Sequence, residues 1–205
     1  MAMQTGTGTG KAGMFERLLE DLLRREGGYA YHRDDRGGET MFGITEAVAR
    51  QHGYDGPMRS MPRAVAVEIY HQRYWVQPGF DRVAGLSAPV AAELFDTGVN
   101  MGPAVAGRFL QRVLNALNRQ QRDYADVAVD GSVGPRTLEA LSRYLLVRGR
   151  EGETVLLTAL GCLKGERYIA LAEQRVANES FVYGWLRTRI GAGAAAPSGP
   201  AIRLM

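Results

Sequence analysis

Three side chains near the N-terminal end of the sequence carry groups that suit the cleavage of a glycosidic bond: Glu26, Asp35 and Thr40. Asp35 lies nine positions after Glu26, and Thr40 lies fourteen positions after it. The glycines between them let the backbone turn tightly and return toward Glu26. One carboxyl group can then protonate the leaving oxygen while the other groups hold a water on the far side of the sugar. The spacing therefore predicts a glycosidase site.

The element that must position Glu26 is a predicted amphipathic helix over residues 14–25. Its apolar residues recur with the helical period and form one stripe: Phe15, Leu18, Leu19, Leu22 and Leu23. Glu26 takes the next position of this stripe and precedes Gly27-Gly28, which should end the helix. A carboxyl group against an apolar face is desolvated, which raises its pKa and suits a general acid. The alternative is an ordinary glutamate in a fraying last turn.

Several separated motifs follow one another along residues 14–190. Those around the candidate site are Glu26-Gly27-Gly28-Tyr29, Asp35-x-Gly37-Gly38-x-Thr40 and Gly43-Ile44-Thr45. Further along are Ile69-Tyr70, Tyr74-Trp75, Phe95-Asp96, Val99-Asn100-x-Gly102 and Leu110-Gln111. In these motifs and their order the chain resembles glycoside hydrolase family 108, a family of N-acetylmuramidases that includes phage endolysins and bacterial muramidases that assist secretion. The Glu–Asp–Thr order is also similar to that of phage T4-type lysozymes.

The resemblance implies an enzyme that degrades the cell wall by hydrolysing the β-1,4 bond between N-acetylmuramic acid and N-acetylglucosamine. Glu26 would donate the proton, and Asp35 and Thr40 would orient or activate the attacking water. Because a threonine stands where a close second carboxylate would be needed for a covalent intermediate, analogy favours direct displacement with inversion. The chain departs from the family in this loop, where His32-Arg33 and Arg36 replace residues that are often Asp-Pro and Pro.

Five further residues are candidates for substrate binding: Tyr29, Tyr74, Trp75, Asn100 and Gln111. Aromatic faces pack well on sugar rings, but an aromatic residue at helical spacing is also typical of a core. Asn100 could bond a sugar acetamide or the catalytic loop, or it could cap the helix predicted to begin at Pro103. Gln111 lies off the apolar stripe of that helix and could face the cleft or solvent.

The chain is predicted to be all-α and lysozyme-like, with two lobes around a cleft. Almost no segment alternates with period two, so β structure should be at most a short hairpin between Tyr29 and Thr45. The predicted organisation is a flexible N-terminus, a catalytic lobe, a helical peptidoglycan-binding lobe and a flexible tail: residues 1–13, 14–95, 96–190 and 191–205. Two later motifs are similar to the peptidoglycan-binding region of the family: Val129-Asp130-Gly131-x-x-Gly134-Pro135-x-Thr137 and Phe181-x-x-Gly184-Trp185.

Composition restricts the cofactors and partners of the protein. The formal charge is +3 without a long basic run, which favours a solvated surface with modest attraction to anionic cell wall over nucleic-acid binding. A single cysteine, Cys162, excludes an intramolecular disulfide and is predicted to be buried. The histidines His32, His52 and His71 lack ligand spacing beside an acid pair, so we expect no metal and no organic cofactor. We expect a monomer whose partner is the peptidoglycan glycan strand.

The expected place of action is the cell wall or periplasm. Residues 1–13 are rich in glycine and threonine and do not read as a secretory signal, and no stretch approaches the roughly 20 apolar residues of a membrane span. We therefore expect synthesis in the cytoplasm followed by holin-type or dedicated export, as the resemblance suggests.

Two other functions stay open at this point. A lytic transglycosylase also uses one catalytic glutamate, but a hydroxyl of the substrate attacks and leaves 1,6-anhydro ends; Asp35 and Thr40 argue against this chemistry. A non-catalytic cell-wall binding protein would gain nothing from a desolvated acid at Glu26.

Overall fold

The structure of the protein is a computed structural model that describes residues 9–26, 28–31 and 38–190. The chain divides into two compact units, one ending at Gln77 and the other beginning at Pro78. The described part is predominantly helical, which confirms the predicted all-α, lysozyme-like fold class. Residues 1–8 and 191–205, for which flexible termini are predicted, lie outside the described residues.

In its described residues, the first unit combines three α-helices with one small sheet. Its elements are α1 (Thr9–Glu26), β1 (Ala30–Tyr31), β2 (Glu39–Met41), β3 (Ile44–Thr45), α2 (Glu46–Gln51) and α3 (Arg63–His71). A 3-10 turn over Met58–Ser60 precedes α3, and a π-helical turn over Gln72–Val76 continues it.

The apolar stripe of α1 forms part of the core of the first unit. Phe15, Leu19 and Leu22 are buried, and the Phe15 ring packs against the rings of His71 and Trp75. The helix therefore has the orientation predicted from its period. It begins at Thr9, before the predicted start at residue 14, although Gly10 and Gly13 are poor helix formers.

The small sheet is antiparallel, with strand order β1-β2-β3. Ala30 pairs with Thr40, and Thr40 pairs with Thr45 on its other side. The predicted β structure between Tyr29 and Thr45 is thus present, as three short strands and not as a single hairpin. Thr45 also caps α2, because its hydroxyl accepts a hydrogen bond from the Val48 backbone N–H.

All of the regular secondary structure in the described residues of the second unit is helical, and residues 118–134 connect α6 to α7 without a helix or strand. Its helices are α4 (Phe80–Val83), α5 (Ala88–Met101), α6 (Pro103–Leu117), α7 (Pro135–Gln174) and α8 (Glu179–Arg189). The predicted boundary between residues 95 and 96 falls inside α5. The longest of the described helices, α7, is interrupted at Gly149, where φ is 59° and only glycine is comfortable.

Two glycines bring α6 against the turn that precedes α7. A Cβ on Gly107 would lie 2.2 Å from the Gly131 carbonyl oxygen, and a Cβ on Gly131 would lie 2.6 Å from the Ala104 carbonyl oxygen. Neither position can hold a larger residue without moving backbone. The motif Val129–Thr137 therefore packs through its backbone against α6.

An ion-pair cluster lies where α5, α7 and α8 pack together. The Lys164 side chain is 2% exposed, and its Nζ lies 2.7 Å from Glu93 Oε1 and 3.1 Å from Asp96 Oδ2. Arg189 approaches the other Asp96 oxygen at 3.5 Å. Burial is the largest influence on Glu93 and raises its pKa, while the Lys164 ammonium opposes that shift.

Cys162 is exposed, so the prediction that it is buried is wrong. The inward face of this part of α7 carries Leu156, Leu160, Lys164 and Tyr168, which recur every fourth residue. Cys162 lies two positions after Leu160 and therefore points away from that face. The local sequence is apolar, but the period of the helix decides which side is buried.

Candidate functional site

Glu26 is the last residue of α1, as the glycine stop signal predicts. Its backbone therefore lies at the end of the helix whose apolar face packs into the first unit. The Glu26 side chain and the whole of Asp35 lie outside the described residues, as does His32. Their predicted roles as proton donor and water-activating group stay predictions.

Thr40 lies in the middle strand of the sheet, where its hydroxyl has a defined partner. Its Oγ1 donates a hydrogen bond of 3.3 Å to the Ala30 carbonyl oxygen, across the pairing of β1 with β2. The hydroxyl proton is therefore directed at the backbone, and no donor among the described residues bonds the Thr40 oxygen, whose lone pairs can accept. Thr40 can thus accept a hydrogen bond from a water.

The turn from β2 to β3 follows Thr40 directly. Phe42 and Gly43 both have positive φ, at 52° and 72°, which is the pattern of a type I′ hairpin turn. The Tyr70 hydroxyl on α3 donates a 3.0 Å hydrogen bond to the Phe42 carbonyl oxygen. A helix of the same unit therefore contacts the turn next to the candidate site. Phe-Gly between two short strands signals the turn itself, but no residue near Phe42 indicates a partner 28 positions away.

Tyr29 follows the two glycines after α1 and is half-buried. The Arg59 guanidinium lies over its ring, 4.3 Å from the ring centroid. A cation at this distance is attracted to the aromatic face. One face of Tyr29 is thus covered by Arg59, and a sugar would have to stack on the opposite face.

The two aromatic residues of the π-helical turn have different environments. Trp75 is 3% exposed and packs against Phe15, with the ring centroids 5.7 Å apart. Tyr74 is half-buried, and its ring lies against that of Tyr70. The structure therefore places Trp75 in the core, which was its alternative role, and leaves Tyr74 as the one with accessible surface.

Asn100 and Gln111 are buried in the second unit. Asn100 is 7% exposed and lies within α5, where its amide donates a 2.7 Å hydrogen bond to the Asp96 carbonyl oxygen. It does not cap α6, because Gly102 directly precedes that helix. The alternative role predicted for Asn100 as a cap is therefore wrong.

Gln111 is 1% exposed, and both ends of its amide have partners. The nitrogen donates to Asp130 Oδ1 at 2.8 Å and to the Ser132 carbonyl oxygen at 2.9 Å, and the oxygen accepts from the Gly131 N–H at 2.8 Å. Hydrogen bonds from Ser132 and Gln111 also lower the pKa of Asp130. The predicted exposure of Gln111 to a cleft or to solvent is wrong, because a saturated buried amide has no group to offer a ligand.

Neither a metal site nor a membrane-spanning helix has a candidate among the residues that the structure describes. No cluster of three or more His, Cys, Asp or Glu side chains is arranged to hold a metal ion. None of the described helices is both long enough and apolar enough to cross a membrane.

Comparison with known proteins identifies the class. Residues 19–102 match the family model of glycosyl hydrolase 108, and residues 105–190 match the model described as "Predicted Peptidoglycan domain". The chain is also similar to the solved structure of Brucella abortus SagA, at 24% identity and a TM-score of 0.57, over 86% of this chain and 97% of that chain. At this identity the likeness shows the fold alone. No curated protein is significantly similar to the chain.

The fold and the matched segments define a glycoside hydrolase that acts on peptidoglycan. Residues 19–102 belong to the glycosyl hydrolase 108 family, and a peptidoglycan domain follows this segment. Both the family and the architecture expected from the motifs are confirmed.

Proposed function

We propose that the protein is an N-acetylmuramidase that hydrolyses the β-1,4 bond between N-acetylmuramic acid and N-acetylglucosamine. The observation that carries the proposal is the arrangement of the matched segment, in which Glu26 ends α1 and Thr40 lies on β2 with its hydroxyl proton bonded to Ala30. The family membership supplies the class of reaction.

In the proposed reaction Glu26 transfers its proton to the glycosidic oxygen as the bond from that oxygen to the anomeric carbon breaks. A water attacks the anomeric carbon from the opposite face. It donates one hydrogen bond to the Asp35 carboxylate, which accepts the proton, and one to Thr40 Oγ1. Because Thr40 already donates to Ala30, it serves the water only as an acceptor, which leaves a water lone pair directed at the sugar. Direct displacement inverts the anomeric carbon.

The proposed partner is the peptidoglycan glycan strand. Tyr29 and Tyr74 are the aromatic candidates for packing against its sugar rings. The proposed place of action is the cell wall, reached by holin-type or dedicated export. Release of activity from host cells only when such an export route is present would support this setting; equal release without it would contradict it.

The decisive experiment compares Glu26→Gln with wild type on purified peptidoglycan. The substitution preserves size and hydrogen bonding but removes the transferable proton, so turnover should fall by about 100-fold or more. Glu16→Gln is the matched control, because Glu16 lies exposed on the same helix and should leave activity unchanged. Both variants should show thermal melts like those of wild type.

Mass spectrometry of the digest then tests the chemistry. Hydrolysis leaves reducing muramic acid ends, whereas transglycosylation leaves anhydro ends that are lighter by one water. Mainly anhydro products would replace the hydrolase with a lytic transglycosylase. Equal activity of Glu26→Gln and wild type would exclude Glu26 as the acid, and an inactive wild type that still binds peptidoglycan would favour a non-catalytic binder.

A further inference from the structure

The placement of Thr40 depends on the register of a very small sheet. Thr40 pairs with Ala30 on one side and with Thr45 on the other, in strands of two to three residues. A slip of one residue would turn the Thr40 side chain to the opposite face. So few pairings hold a register weakly, and the turn between β2 and β3 must contribute.

That turn contains a residue that is ill-suited to its conformation. A two-residue type I′ turn requires positive φ at both central positions and favours Asn-Gly. Gly43 meets this requirement at no cost, but Phe42 has a bulky side chain and a φ of 52°. A non-glycine residue in the left-handed region is strained and persists only where its surroundings hold it there.

The contact that holds the turn comes from Tyr70. Its Oη donates to the carbonyl oxygen of Phe42 itself, at 3.0 Å, across a separation of 28 residues. Tyr70 is 0% exposed, lies on α3 and packs its ring against Tyr74, so its hydroxyl has little freedom. The strained residue is therefore bonded to a buried group on a rigid helix, two positions after Thr40.

We propose that Tyr70 is a positioning residue for catalysis: its hydroxyl holds the strained Phe42–Gly43 turn and thereby fixes the Thr40 hydroxyl against Ala30, ready to accept the attacking water. The inference rests on the proposed function of Thr40. Tyr70 touches no reacting atom in this account and acts only through the turn. Full turnover therefore requires the hydroxyl group of Tyr70 and not its aromatic ring.

The experiment compares Tyr70→Phe with Tyr54→Phe, both on purified peptidoglycan at a temperature where each variant is fully folded. Tyr54 is the matched control, because its hydroxyl also donates to a backbone carbonyl, that of Pro57 at 2.9 Å, in the same unit. Misplacing a reacting group by a fraction of an ångström to 1 Å costs about ten- to a hundredfold in rate. We expect kcat of Tyr70→Phe to fall by about tenfold or more with KM within about twofold, and kcat of Tyr54→Phe to stay unchanged.

A second substitution tests whether Tyr70 affects catalysis through the Phe42–Gly43 turn. Phe42→Asn creates the Asn-Gly sequence that favours the type I′ turn without outside help. Phe42→Asn alone should keep kcat near wild type, and combined with Tyr70→Phe it should restore most of the lost kcat. A general loss of stability would not be repaired in this selective way. The rescue thus separates positioning from packing.

Unchanged kcat in Tyr70→Phe would overturn the proposal, as would an equal loss in Tyr54→Phe or a loss that Phe42→Asn fails to restore. If Tyr70→Phe does not fold, the double variant decides, since a folded but slow double variant also contradicts the proposal. Failure of the proposed function looks different: Glu26→Gln would then match wild type, whatever the Tyr70 variants do.

Discussion

Thr40 in the first unit and Gln111 in the second are both polar residues of recognisable motifs, yet their surroundings differ. Thr40 is half-buried, and its hydroxyl donates a hydrogen bond of 3.3 Å to the Ala30 carbonyl oxygen. Gln111 is 1% exposed, and its amide bonds Asp130, Gly131 and Ser132 at 2.8 to 2.9 Å. An accessible polar group can bind a substrate, whereas a buried group with its hydrogen bonds satisfied stabilises the fold.

The two units also differ in where their ion pairs lie. The second unit buries Lys164 between Glu93 and Asp96, so these three charged groups pair in the interior. In the first unit, the described ion pair of Glu20 with Arg63 lies on the surface, where such pairs contribute little. We therefore expect substitutions of the predicted site residues in the first unit to change turnover, and substitutions of buried motif residues in the second to change stability.

The largest effect should come from Asp35→Asn. If Asp35 accepts the proton of the attacking water, losing its carboxylate should lower turnover by about 100-fold or more, with the thermal melt unchanged. Thr40→Ser keeps the hydroxyl and should cost much less. Turnover of both variants on purified peptidoglycan is the measurement. Near-full activity of Asp35→Asn would show that Asp35 only forms a turn, and Asp34 or Glu39 would then be the next candidates.

The next effect should come from Lys164→Met, which removes a buried cation and leaves Glu93 and Asp96 close together. Removing one partner from a buried ion pair costs about 3–5 kcal/mol in the free energy of unfolding. We expect the lower end, because the two carboxylate side chains are 23% and 24% exposed and keep some water. Chemical denaturation of the variant and wild type measures the difference.

The stability lost in Lys164→Met should depend on pH, and this dependence tests whether charge is the cause of the loss. Burial raises the Glu93 pKa, so the folded state binds its proton more tightly than the unfolded state. The stability from this group is present below the unfolded pKa and is lost as pH rises through the folded pKa. Without Lys164 the pKa rises further, so the deficit should be largest near about pH 7 and smaller near about pH 4.5. A deficit that does not depend on pH would exclude charge as its cause.

The smallest effect on stability is expected from alanine substitutions of two glycines on helices of the second unit, Gly107 and Gly161. Gly107→Ala would place a Cβ 2.2 Å from the Gly131 carbonyl oxygen, so overpacking should cost about 1–3 kcal/mol. Gly161→Ala is the matched control, because its Cβ meets nothing within 4 Å and alanine favours a helix by up to about 1 kcal/mol. Opposite shifts in melting temperature are expected. A silent Gly107→Ala would show that the turn before α7 yields easily.

The fold was predictable where the signals are local. The period of α1, the stop at Gly27-Gly28, the Thr45 cap and the start of α6 at Pro103 all follow from residues within one or two turns of each other. The start of α1 was placed too late, because Gly10 and Gly13 locally favour a later start than the one the structure has. The family and its peptidoglycan domain were predictable for a related reason, since motif order is read directly along the chain.

The candidate site was only partly predictable. Tyr70 and Tyr74 share a sequence pattern with any aromatic core, and nothing near Phe42 shows that a hydroxyl 28 residues away would bond its carbonyl oxygen. Gln111 was expected at a surface because it lies off one apolar stripe. Its partners Asp130, Gly131 and Ser132 lie about twenty residues further on and are brought to it only by folding.

The sequence by itself therefore determined the helical class of the fold, the position of Glu26 at the end of α1, and the order of the motifs, because helical period and capping depend on neighbouring residues. Only the tertiary structure decided that Trp75 and Gln111 are interior, that Cys162 is exposed, and that Tyr70 holds the turn beside Thr40. The physical reason is that burial and saturation of a polar group depend on partners distant in sequence, whose approach no local pattern encodes.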